Sequence, residues 1–94
     1  MKVIQIAGTV TEYESKSYST ARGQRYNVIE FTIQDPDKNI YFVTAREKAI
    51  KQVRDIVIGD NLIVDVNVFC RRASQYKFIT LDLLKALNLT QYAK

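Results

Sequence analysis

Histidine and tryptophan are missing from this 94-residue chain, and cysteine and proline occur once each. Without histidine the commonest general base and metal ligand is gone, and no histidine-based catalytic triad can be assembled. The lone Cys70 forms no internal disulfide, and one thiol plus carboxylates is a poor zinc set. The three glycines stand apart at positions 8, 23 and 59, so no glycine-rich loop is present to cradle a phosphate. Asp35 and Asp37 flank Pro36 and read as a turn rather than as a catalytic carboxylate pair. No apolar run is long enough to cross a bilayer, and Gln5 interrupts the opening apolar residues too early for a secretory signal. These absences predict a soluble intracellular protein that is not an enzyme, needs no cofactor or metal, and stays off membranes.

What is present is a mildly basic, well-patterned chain. Lys and Arg number 14 against 10 Asp and Glu, a net charge of +4, and 47% of residues are apolar. That composition suits an ordered domain with a weak preference for anionic partners. Residues 3–14 alternate, with Ile4, Ile6 and Val10 opposed to Gln5, Thr9, Thr11 and Tyr13, which predicts a half-buried strand. Gly8, on the apolar side, marks a bulge or bend. Residues 15–24 are small and polar and read as a loop. Alternation returns over 25–34, and Asp35-Pro36-Asp37-Lys38-Asn39 predicts a turn into a strand over 40–46. That strand is apolar on both sides, which leaves its orientation open. The period then changes: Ala49, Ile50, Val53, Ile56 and Val57 form a helical stripe over 47–57. Gly59-Asp60 ends it. Residues 61–72 alternate with Leu62, Val64, Val66, Val68 and Cys70 inward. Residues 73–75 connect to a last strand over 76–84, and the tail reads as a strand end or a short helix.

The order strand, strand, strand, helix, strand, strand predicts an all-β chain with one short helix: a five-stranded Greek-key OB-fold barrel. Residues 1–87 form the expected domain and 88–94 a short tail. OB-folds take oligonucleotides across their second and third strands, between the loops joining strands one–two and four–five. Lys16, Tyr18, Arg22, Arg25 and Tyr26 cluster around the first of these loops. Phe69, Arg71, Arg72, Tyr76, Lys77 and Phe78 cluster around the second, and Tyr41 and Arg46 lie on the third strand. No acidic residue occurs from Ser15 to Ile29 or from Val66 to Leu81, so the basic residues there read as unopposed. Arg and Lys neutralise phosphates, while exposed rings stack on unpaired bases. Together they predict a surface that tracks one strand of nucleic acid, with Arg22 and Arg71 on the same side of the barrel. Tyr26, Tyr76 and Phe78 fit equally well as strand formers packing across strands. Phe69 fits either an oligomer contact or a stacked base.

The chain resembles the single-stranded-DNA-binding-protein family of OB-folds, in its compact single-domain form from phages and Bacteroidetes. The matching pieces are Ile6-Ala7-Gly8-Thr9-Val10, Thr20-Ala21-Arg22-Gly23, Ile29-Glu30-Phe31-Thr32-Ile33 and Ile40-Tyr41-Phe42. Gly59-Asp60-Asn61-Leu62-Ile63-Val64, Phe69-Cys70-Arg71-Arg72 and Phe78-Ile79-Thr80-Leu81 follow, so the match spans about residues 3–84. The resemblance implies single-stranded DNA as ligand and a context of replication, recombination or repair; an RNA-binding OB module of cold-shock type shares the same physics and is a further alternative. The resemblance also implies a dimer or tetramer in the cytoplasm of a bacterium or a phage-infected cell. Cellular members end in an acidic recruiting tip, whereas this chain ends Asn88-Leu89-Thr90-Gln91-Tyr92-Ala93-Lys94. With no tryptophan, Tyr and Phe must supply the stacking rings. A structural or protein-interaction OB module is the competing reading.

Overall fold

The computed structural model describes residues 2–73 and 76–92. Five strands, β1 (Val3–Ser19), β2 (Arg25–Gln34), β3 (Ile40–Arg46), β4 (Asn61–Ala73) and β5 (Tyr76–Asn88), close in the order β1-β2-β3-β5-β4. A 3₁₀ turn (Glu47–Ala49) leads into helix α1 (Ile50–Val53) between β3 and β4, and a one-turn helix α2 (Leu89–Tyr92) follows β5. This is the predicted OB barrel. All neighbouring strands are antiparallel except β3 and β5, which among the described residues meet in parallel through Val43↔Leu81 and Thr44↔Asp82.

The alternation read from the sequence fills the barrel. Phe31, Ile33, Leu62, Val10, Val43, Val64 and Val66 are fully enclosed, joined by Val53 from α1. Burying each such side chain contributes about 1.5–3 kcal/mol. On β3, Val43 and Ala45 point inward with Tyr41 packed against them, while Ile40, Phe42 and Arg46 are exposed. The strand left unoriented by its sequence is thereby oriented.

β1 is long because it serves two partners. Residues Val3–Thr9 pair with β4, and Thr9–Ser19 pair with β2. The register slips between Val10 and Glu12, so the bulge falls at Thr11 rather than at Gly8. Gly8 answers a different need. A Cβ there would lie 2.6 Å from the Gln34 carbonyl oxygen and collide with the Ile33 side chain. Only a residue without a side chain lets β1 cross this close to β2.

The helical segment is shorter than its stripe predicts. Arg46 supplies no side-chain cap, and Glu47 enters with φ 52°, in the left-handed region. At the other end Asp60 accepts a hydrogen bond from the Val57 N–H (3.0 Å). That side-chain bond competes with helix continuation. Val53 and Ile56 are buried, but Val57 is 61% exposed, so it does not belong to the core. Gln52 ties the helix to β5. Its amide donates to the Leu84 carbonyl (2.9 Å) and accepts from the Ala86 N–H (2.7 Å), where the β4–β5 register slips and Leu84 is the extra residue. Beyond β5, Thr90 accepts from the Asn61 N–H (2.9 Å) and Gln91 donates to the Asp55 carbonyl (3.2 Å).

Candidate nucleic-acid interface

Successive residues of a strand point to opposite faces, so one parity of β1, β2 and β3 covers the outside of the barrel. The registers set that outward face in rows. Tyr18 lies opposite Tyr26, Lys16 opposite Val28 and then Arg46, and Glu14 opposite Glu30, Thr44 and then Asp82. A further row pairs Glu12 with Thr32 and then Phe42. Glu12, Glu14, Glu30, Thr32, Phe42 and Thr44 line one shallow depression there.

The strongest feature is a ring pair. Tyr18 and Tyr26 stack with centroids 5.5 Å apart and planes 23° from parallel. Both remain exposed, at 38% and 45%. They sit past the end of β3, whose pairing with β2 starts only at Val28, so the outer part of this hairpin is an arm rather than barrel wall. The Tyr18 hydroxyl donates to Glu30 Oε1 (3.2 Å), and Lys16 Nζ lies 3.0 Å from Glu30 Oε2 and 3.6 Å from Glu14. The bond to Glu30, reinforced by the charge of Glu14, raises the Lys16 ammonium above its ordinary value. Val28, between Lys16 and Arg46, is buried at 2% exposure.

Several sequence expectations change here. Residues 15–19 continue β1 instead of forming a loop, because alternating Lys16 and Tyr18 find partners across the arm in Val28 and Tyr26. The turn is only the tip, closed by Gly23 N–H to the Thr20 carbonyl (3.0 Å), with Gly23 at φ 81°. Lys16 is not unopposed: Glu14 and Glu30, one residue outside the acid-free stretch, both reach it. Arg46 likewise has a partner, with its Nε 3.5 Å from Asp82 Oδ1.

Tyr41 is turned inward and half-buried, its hydroxyl bonded to Asp35 Oδ2 (3.2 Å), so its ring braces the β2–β3 turn instead of facing outward. Burial first, then the neighbouring Asp35 charge, raises the Tyr41 hydroxyl. Asp35 feels partial burial acting against its charge, but hydrogen bonds from Asn39 and Tyr41 prevail and hold its carboxyl below the ordinary range.

Arg22 is exposed on the tip and Arg25 is exposed at the start of β2. Phe69 is 40% exposed on β4. Arg71, Arg72, Tyr76, Lys77 and Phe78 occupy paired positions of the β4–β5 hairpin, Arg71 opposite Phe78 and Arg72 opposite Lys77. Their side chains lie outside the described residues. The two basic segments do not sit side by side. Tyr26 lies four residues before Glu30 on β2, and Phe78 four before Asp82 on the oppositely running β5. The two hairpins therefore extend from opposite ends of the sheet, with the β1–β3 face between them.

Phe42 was not singled out by the sequence, yet it is 71% exposed on this face. Its signal was the parity shared with Ile40 and Thr44, masked by apolar residues on both sides of β3. Glu30 was likewise passed over, although its position opposite Glu14 follows from the hairpin register.

The chain is thus a closed OB barrel whose β1–β3 face carries a stacked tyrosine pair, flanking cations and an exposed phenylalanine. Its fold is that of single-stranded DNA-binding proteins. The mitochondrial single-stranded DNA-binding protein Rim1 of S. cerevisiae superimposes with a TM-score of 0.69 and 16% identity, over 94% of this chain and 95% of that one. A second crystal form of Rim1 gives 0.67 and 17%, over 93% and 92%. The small single-stranded DNA-binding protein from Streptomyces coelicolor gives 0.58 and 16%, over 96% and 95%. At these identities the likeness is one of fold. No protein-family model matches the chain, and no curated protein matches it by sequence.

Proposed function

We propose that this protein binds single-stranded DNA with little regard to sequence and without bond chemistry, in replication, recombination or repair. The observation that carries this is the exposed Tyr18–Tyr26 stack beside the Lys16–Val28–Arg46 row. Exposed rings take unpaired bases, each worth about 1–3 kcal/mol, and every base offers a face. A duplex hides those faces, which favours single strands. Arg22 and Arg25, exposed on the arm, meet the phosphates, and Lys16 and Arg46 do so only by leaving their carboxylates. Phe42 offers a second ring near the far end of the face. The binding role of Rim1 and of the Streptomyces coelicolor protein supports the same reading.

We further infer a homo-oligomer, a dimer or tetramer. Among the described residues, Val3–Gly8 of β1 pair with β4 on one edge and with no strand on the other. The adjoining outward row Ala7–Ile63–Leu87 is aliphatic, with Leu87 44% exposed. An open strand edge beside apolar surface is what a second copy would cover.

Anisotropy titration of labelled oligo-dT at low and moderate salt tests the main reading. Micromolar or tighter binding that weakens steeply with salt is expected, and absence of binding at low salt overturns it. Competition with oligo-U separates DNA from RNA preference.

A further inference from the structure

Glu30 is out of place on a surface meant for a polyanion. It is only partly exposed, sits mid-face, and spends both carboxylate oxygens on groups of that face: Oε1 on the Tyr18 hydroxyl and Oε2 on the Lys16 ammonium. Tyr18 belongs to an arm that β3 does not flank, so the wall reaches its ring through the Glu30 side chain. A tyrosine ring turns about two bonds. The Tyr18 ring stacks on Tyr26 and its hydroxyl bonds Glu30.

Resting on the single-strand reading, we propose that Glu30 is a positioning residue: it holds the Tyr18 ring flat against Tyr26 as a preformed platform, and in doing so occupies Lys16. The arrangement exchanges one phosphate contact for an ordered stacking surface. Ordering rings before the ligand arrives lowers the entropy lost on binding. The Lys16 ammonium reaches a phosphate only by leaving Glu30.

Charge alone predicts that every removal of Glu30 tightens DNA binding to the same extent. Positioning predicts a split between variants. Glu30→Gln keeps an oxygen that accepts from the Tyr18 hydroxyl and removes the nearer of the two carboxylates on Lys16, leaving Glu14 at 3.6 Å. It should bind oligo-dT at least as tightly as the parent, with a log–log salt slope steeper by about 0.7. Glu30→Ala removes the acceptor and should bind about fivefold more weakly than Glu30→Gln, part of the stacking contribution of one base. Adding Tyr18→Phe to Glu30→Gln should reproduce that loss. Adding it to Glu30→Ala should cause none, because the bond is already gone.

Ring-current shifts on Tyr26, measured by NMR without DNA, read the platform directly. They should persist in Glu30→Gln and fade in Glu30→Ala. Equal affinities of the Gln and Ala variants, or unchanged ring-current shifts in Glu30→Ala, overturn the proposal. Failure of every variant and of the parent to bind oligo-dT overturns the single-strand reading instead, while the shifts still decide the role of Glu30.

Discussion

The barrel has two outward faces built on the same strand, and they differ in chemistry. Along its second half β1 contributes Glu12, Glu14, Lys16 and Tyr18 to a face shared with β2 and β3. Along its first half it contributes Gln5 and Ala7 to a face shared with β4 and β5, in the rows Gln5–Asp65–Lys85 and Ala7–Ile63–Leu87. The first is ring-bearing and charged, and its hairpin projects past the barrel wall. The second joins a polar row, in which Gln5 donates to Asp65 (3.1 Å), to an aliphatic one, and it borders the open edge of Val3–Gly8. Both strand halves obey the same period of two; what separates them is the partner exchange at Thr9. One strand thereby supplies two surfaces of different chemistry.

The contrast breaks most visibly at the rings. Replacing Tyr18 and Tyr26 together by Ala should weaken oligo-dT binding by about 30- to 100-fold, the worth of one to two stacked bases. The melting temperature should stay near the parent's, since both residues lie outside the buried cluster; calorimetry beside the titration checks both halves. Gly8→Ala attacks the crossing point and should act on stability. The new methyl meets the Gln34 carbonyl at 2.6 Å, and forced overpacking of this kind costs about 1–3 kcal/mol, read by urea denaturation. Leu87→Glu addresses the aliphatic face alone. It should shift sedimentation toward the monomer and change the affinity of a single site for a short oligonucleotide less than threefold, within the small effect of surface changes.

The smallest effect concerns the β2–β3 turn. Hydrogen bonds hold Asp35 below the ordinary carboxylate range. A depressed folded value gives stability that is complete above the unfolded value and is lost as pH falls through the folded one. The melting-temperature gap between the parent and Asp35→Ala should therefore be full above the ordinary carboxylate range and narrow as pH falls below it. A gap independent of pH would show that the Asp35 side chain supports the turn without its charge.

The barrel was legible because its signal is repeated: Ile6, Val10, Phe31, Ile33, Leu62, Val64 and Val66 were all marked as inward or as strand members, and the strand over 40–46 has the predicted bounds. Local cues fared worse wherever a distant residue decides the outcome. Ser15, Ser17 and Ser19 look like loop until Ile29, Asn27 and Arg25 are placed opposite them. Val57 looks like helix core until the Asp60 carboxylate takes its N–H. Lys16 looks free because Glu30 is distant in sequence but adjacent across the hairpin. Tyr41 and Phe42 could not be told apart, since β3 has apolar residues on both parities and only the inward packing of Val43 and Ala45 resolves them.

Among the described residues, the parallel seam between β3 and β5 joins through two residue pairs. Every other strand junction is a ladder of seven pairs or more. A ring opens where its clasp is shortest. Val43 and Leu81 therefore mark the line along which this cylinder would unroll into a sheet, and their amides are expected to exchange with solvent before those of the β1–β4 junction. Unrolling there would leave the β1–β2 and β4–β5 ladders paired, because neither hairpin crosses the seam.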